Sequence, residues 1–409
     1  MLKYEIKKVL GRAGGRIALL LLAAVLAAAC WFAVSGVYYV NGKGESEYGL
    51  AAARRLRAAK KEWAGTLDED MVRRVIEENA RINATPEGQS DDVDQSNIAF
   101  GWKQGFYDLR WIINCSFSDD LQSYSYYTID GLSPDDAPDL YPNRVRMLRE
   151  WLESDQSVRF SDAEKAYLIG RYETLETPLP YDYYDGWEQL FSFAPTVIML
   201  TVLILGYLVA GIFSNEFQWR ADAVFFSSRL GRSRAVRAKL AAGVALTTAV
   251  YWVMLLAYSA FVLLWLGADG ADCPIQMMIG GWKSFYSLSI RQEYLLVLAG
   301  GYIGCLFMSL MTMLVSAKTR SAVVAAMVPF ILIFLPAFLG ELDSAWVSRL
   351  LGLLPDRLLQ IHNAIRYFDL YEFGGAVVGA LHLLYPLYIA LALILPPVIC
   401  RIYRRSQLG

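Results

Sequence analysis

Two histidines, His362 and His382, and five cysteines are the sparse catalytic-type side chains of this 409-residue chain. Hydrolysis by a metal or a serine nucleophile has recognisable spacings, yet neither His-Glu-x-x-His nor Gly-x-Ser-x-Gly stands in the sequence. A Gly-x-x-x-x-Gly-Lys-[Ser/Thr] phosphate loop is missing too, because the only Gly-Lys pair, Gly42-Lys43, runs into Gly44. The chain is therefore expected not to be an enzyme by itself, and no directly bound cofactor or metal is expected. His382 lies inside an apolar run, where an ionisable group is a candidate for handling protons or substrate. The alternative there is a neutral imidazole bonded to a helix neighbour.

The densest charge near apolar sequence is residues 214–239, which hold Glu216, Arg220, Asp222, Arg229, Arg232, Arg234 and Lys239. Trp219, Ala223 and Phe226 would share one face of a short helix there, with Arg220 and Asp222 off it. Gly231 suits a helix stop and Ser233 a cap for the helix that follows. Such a helix, held just below a membrane between two spans, is suited to being pushed by a partner.

The elements that must position these groups are apolar. Of all residues 56% are apolar and 19% charged, a greasier balance than soluble domains have. The excess sits in six runs: 17–40, 194–213, 240–266, 294–317, 321–340 and 377–400. Each can cross a hydrocarbon core of about 30 Å as a helix. The fold class expected is an all-α polytopic membrane protein with six transmembrane helices. The first run lacks a small-residue cleavage site and reads as a retained anchor.

Charge asymmetry orients the chain. Sixteen Lys and Arg lie before the first run, in 214–239, at Lys318 and Arg320, and in the tail 401–409. The two short loops opposite hold five, namely Lys283, Arg291, Arg349, Arg357 and Arg366. Both termini are thus expected in the cytoplasm. Residues 41–193 are then extracytoplasmic, carrying 17 basic against 29 acidic residues.

That external segment reads as a mixed, mostly helical domain. Helices are expected over 51–63, 71–83, 142–153 and 165–173, with capping boxes at Thr66-Leu-Asp-Glu69 and Ser161-Asp-Ala-Glu164. Residues 85–96 read as a loop, and the aromatic and β-branched stretch 98–127 as possible strands. Cys115 and Cys273 fall on the same outer side, which allows a disulfide between them. Residues 1–16 place Leu2, Ile6, Val9 and Leu10 on one helical face and Lys3, Lys7 and Lys8 elsewhere. This is the pattern of an amphipathic helix lying on anionic lipid headgroups.

The segment after the second run resembles the membrane subunits of type-2 ABC exporters. Their corresponding loop typically reads Phe-x-x-Glu, a small helix, a Gly-Arg or Ser-Arg pair, and a Lys entering the next span. Phe213, Glu216, Gly231-Arg232, Ser233-Arg234 and Lys239 occupy those positions. Pro180-Tyr-Asp-Tyr-Tyr-Asp-Gly-Trp187 also resembles bacterial members with a large external insert, which implies a place in the cytoplasmic membrane of a bacterial cell. The resemblance implies that residues 341–376 form short re-entrant helices facing outward. It implies that Glu216, Arg220, Asp222, Arg229, Arg232 and Arg234 form the surface coupled to a separate nucleotide-binding ATPase subunit. ATP and Mg would sit on that partner, a second permease chain, identical or related, would complete the path, and an amphipathic lipid, peptide or antibiotic would be exported. Membrane lipids are expected partners and nucleic acid is not. A rival reading is a membrane sensor or resistance component whose external domain binds a peptide or antibiotic and signals through the ATPase.

Overall fold

A computed structural model describes residues 1–221, 227, 234–339 and 345–405. The chain opens with α1 (Leu2–Leu10) and α2 (Ala13–Ser35). An insert follows, with strands β1 (Tyr38–Val40) and β2 (Ser46–Tyr48), helix α3 (Leu50–Lys61), strand β3 (Gly65–Leu67) and helices α4 (Glu69–Asn83) and α5 (Val93–Lys103). Helices α6 (Tyr107–Ser116), α7 (Leu140–Glu153) and α8 (Asp162–Glu173) and strand β4 (Leu179–Tyr181) complete it. Four long helices come next: α9 (Asp185–Gln218), α10 (Val236–Leu266), α11 (Ile290–Thr319) and α12 (Ala322–Leu339). Short helices α13 (Ala345–Leu351), α14 (Asp356–Leu359) and α15 (Ile361–Ala364) lead to hairpin β5 (Leu370–Phe373) and β6 (Ala376–Gly379), then to α16 (Leu381–Arg404).

Among the described residues, α2, α9, α10, α11 and α16 are long and apolar enough to cross a membrane, so the protein is a multi-pass membrane protein. The apolar stretch of α12, Ala322–Pro336, is shorter. Helix α9 is the hub, packing against α2, α10, α11 and α12. Small residues set these approaches. A Cβ on Gly206 of α9 would lie 2.5 Å from Pro329 Cγ of α12. One on Gly301 of α11 would lie 2.5 Å from the Tyr251 hydroxyl. In lipid, where apolar surfaces gain little by leaving the solvent, such close backbone contact supplies much of the attraction between helices.

The insert, residues 267–289 and the α13–β6 segment form one layer over one end of the bundle. Arg144 donates to the carbonyls of Trp282 and Ser284 at 3.0 and 2.9 Å, and Tyr184 donates to Met277 O at 2.8 Å. The opposite end gathers α1, the end of α9, the start of α10 and the end of α16.

Several sequence expectations are corrected here. Residues 98–127 hold no strand. Asp92 caps α5 through the amides of Asp94 and Gln95, so that helix also takes the end of the expected loop 85–96. In α6, Leu109, Ile112 and Ile113 are buried at helical spacing, and that periodicity overrides β propensity. Helix α4 is capped by Asp68, which accepts from Met71 N at 2.9 Å, whereas Thr66 belongs to β3, paired with β4. The box Ser161/Glu164 does form. Residues 377–379 lie in β6 rather than in the last span. Gly374 and Gly375, both at positive φ, make the two-residue turn of a β5–β6 hairpin, whose register pairs Phe373 with Ala376. Helix α9 does not stop near Phe213; it runs through Glu216 to Gln218. Cys115 and Cys273 are both free, so the disulfide is absent. Burial pushes their thiols up to about 12 and about 11, so little of the reactive thiolate exists near neutral pH.

The Gly206–Pro329 contact yields a stability test. Gly206→Ala should cost about 1–3 kcal/mol, because the pyrrolidine ring cannot swing away. Thermal unfolding of the purified protein should show the loss, while Gly170→Ala, whose Cβ meets nothing within 4 Å, should not.

Candidate functional site

Where α9 ends, Glu216 is 4% exposed, so its carboxylate needs partners. It finds them on three other helices. Lys239 of α10 donates to Glu216 Oε1 at 2.7 Å, and Lys8 of α1 donates to the same oxygen at 2.5 Å. Tyr403 of α16 donates its hydroxyl to Oε2 at 3.4 Å. The Lys239 side chain is itself fully buried; its Nζ also donates to Ile212 O at 2.8 Å and to Glu5 Oε2 at 3.4 Å. A charge-assisted node thus ties four helix ends together.

Around it, cations stack on aromatic faces. The Arg12 guanidinium lies 4.0 Å from the centre of the Trp219 ring, and Arg320 lies 4.6 Å from that of Phe217. Helix α9 closes in a Schellman motif: Ala221 N donates to Glu216 O at 2.8 Å and Arg220 N to Phe217 O at 3.1 Å. Arg220 takes the left-handed position at φ 55°, where glycine is the usual residue. Helix α11 also ends on a left-handed residue, Arg320 at φ 58°, through a bond from Arg320 N to Ser316 O at 3.1 Å.

The six residues singled out from the sequence separate accordingly. Glu216 is buried inside the node and presents no surface. Arg220 and Arg234 are exposed, on either side of the elbow between α9 and α10. Asp222, Arg229 and Arg232 lie outside the described residues. Lys8, read with the polar face of α1, instead turns inward to Glu216. Sequence periodicity finds α1 but not this contact, because the pair is 208 residues apart in the chain.

At the other end, His362 replaces His382 as the histidine with partners. His382 is exposed on α16 and makes no hydrogen bond among the described residues. His362 Nδ1 lies 2.5 Å from the buried Glu293 Oε1, Arg366 donates to His362 O at 2.6 Å, and Phe191 stacks over the ring at 4.8 Å. Burial lowers the imidazole pKa and Arg366 adds to this, while Glu293 opposes it. No group of three His, Cys, Asp or Glu among the described residues is arranged to hold a metal ion.

Both clusters are testable. Glu216→Gln should destabilise the protein by about 3–5 kcal/mol, since it strands buried lysine charge. Arg220→Ala, on the surface, should stay within about 0.5 kcal/mol. Denaturant or thermal unfolding distinguishes them. For His362, the folded pKa lies below the unfolded one, so the unfolded state binds more protons and stability falls as pH drops through the mid-6 range. The melting temperature of His362→Gln should lose that part of the pH dependence.

Comparisons with protein-family models, curated proteins and solved structures find no match to this chain.

Proposed function

We propose that this chain is the membrane subunit of an ATP-binding cassette exporter, working with a separate ATPase subunit and a second permease chain. In this reading α12 is the sixth span, both termini are cytoplasmic, and the insert 41–193 lies outside the cell membrane. ATP and Mg belong to the partner subunit, and this chain performs no hydrolysis itself. The exported substrate is amphipathic.

The observation that carries the reading is the Glu216 node. It ties α1 to the end of α9, the start of α10 and the end of α16, with Lys8 and Lys239 sharing a single carboxylate oxygen. A partner that displaced the node would therefore move the ends of α9 and α10 together. Arg220 and Arg234, exposed beside the node, offer positive charge to an acidic groove on that partner.

The test is co-purification of the full chain with its ATPase, followed by Arg220→Glu with Arg234→Glu. Loss of the ATPase from the complex, or at least a tenfold fall in its stimulation at unchanged melting temperature, is the expected result. A chain that purifies and acts with no ATPase attached, or a double variant indistinguishable from the native complex, overturns it.

A further inference from the structure

A cavity of about 410 Å³ opens where the insert meets the first turns of α9. That volume suits a small molecule. Its polar wall is built around Lys60, whose Nζ lies 2.9 Å from Asp108 and 2.5 Å from Asp185. Asp108 accepts a further hydrogen bond from Tyr181 at 2.9 Å. Burial opposes the lysine charge, but the two carboxylates outweigh it and raise its pKa. One ammonium is thus shared between two carboxylates, and it makes no hydrogen bond to Glu188.

The third carboxyl group is Glu188, which lines the same cavity. Its Oε2 is closed off from solvent and has no hydrogen-bond partner. Arg366, the nearby cation that acts on Glu188, turns its Nη1 to His362 O and Glu293, and its buried Nη2 makes no hydrogen bond to Glu188. A buried acceptor without a donor costs free energy that a ligand donor would recover. Besides the amides of Gln104 and Gln189, the remaining wall is mainly aromatic and apolar, with Phe100, Tyr107, Tyr126 and Ile279 lining the space. Burial pushes the Glu188 carboxyl up to about 8, so near neutral pH it stands largely as the neutral acid and ionises when a cation supplies the missing counter-charge. Aromatic faces beside such a group suit an ammonium carried on an apolar body.

From this geometry we infer that the cavity is a binding site for an amphipathic organic cation, its ammonium group on Glu188 and its apolar part against the Phe100–Tyr107–Tyr126 wall. An anion would meet three carboxyl groups and is rejected. The assignment depends on the cavity alone and holds whether or not the chain works with an ATPase.

The experiment uses the purified full chain in detergent and 2-phenylethylammonium, whose three N–H groups can donate to Glu188, as the probe, read by calorimetry or intrinsic fluorescence. Saturable binding is expected, with 3-phenylpropionate neither binding nor competing. Glu188→Gln should weaken the cation at least tenfold, and Ile279→Trp, which fills the cavity while leaving Glu188 in place, should abolish binding. Each variant is first checked for an unchanged melting profile, so that if one fails to fold the other still decides. Equal affinity in a folded Glu188→Gln or Ile279→Trp protein, binding of the anion as tight as the cation, or no saturation below about 10 mM overturns the site.

Discussion

Removing the Glu216 carboxylate from water sets the terms for one whole end of the molecule. An ion buried at that depth loses several kcal/mol of hydration, and only close, well-aligned counter-charge offsets the loss. Lys239 is buried as deeply, so neither can be in place without the other. Lys8 and Tyr403 complete the shell, and they come from the two extremities of the chain. The first helix, the last helix and the facing ends of α9 and α10 meet at one functional group, beside an apolar contact in which Phe213 packs on Tyr403 at 4.9 Å. In helix α1 none of the residues is fully buried; Lys8 and Glu5 reach the node while Val9 and Leu10 pack against the core.

The middle of the bundle is governed differently. Gly206, Gly243, Gly301 and Gly304 each face a side chain at a distance that leaves no room for a Cβ, and their partners come from α12, α11, α10 and α14. Large side chains fill what the glycines leave open: Tyr251 donates to Leu298 O at 2.8 Å, and Tyr385 to Leu296 O at 2.7 Å. These hydroxyls satisfy themselves on helix carbonyls, which suits a surrounding that offers no water.

The apolar helices were legible because a run long enough to cross lipid has few alternative explanations; their ends were not. Helix α9 carries Asp185, Glu188 and Glu216 inside its helical limits, and a hydropathy reading stops at such residues. The same reading swept Val377 and Val378 into a span, although the Gly374-Gly375 turn pairs them with Tyr371 and Glu372 in a hairpin. In the insert, Ser161 and Glu164 announced α8 correctly because a capping box is local chemistry. Thr66 shows the limit of that signal: its motif was present, but pairing of β3 with β4, more than a hundred residues apart, claimed the residue. Of the candidate site, Glu216 and Lys239 stood out by their place around the elbow. Their meeting with Lys8, and the contact of Lys60 with Asp108 and Asp185, depend on tertiary approach that no spacing encodes.

Helix α9 has one further property. Glu188 and Glu216 sit 28 positions apart on the same helix, about 42 Å at 1.5 Å per residue. Between them stands a single interruption, Pro195, which brings no amide hydrogen for the carbonyl of Phe191. The shaft is thus stiff over nearly its whole length and pliable at one point, two turns below the cavity. A tilt of its upper turns has a natural fulcrum there, and what lies beyond it, down to the buried carboxylate, travels as a single rod.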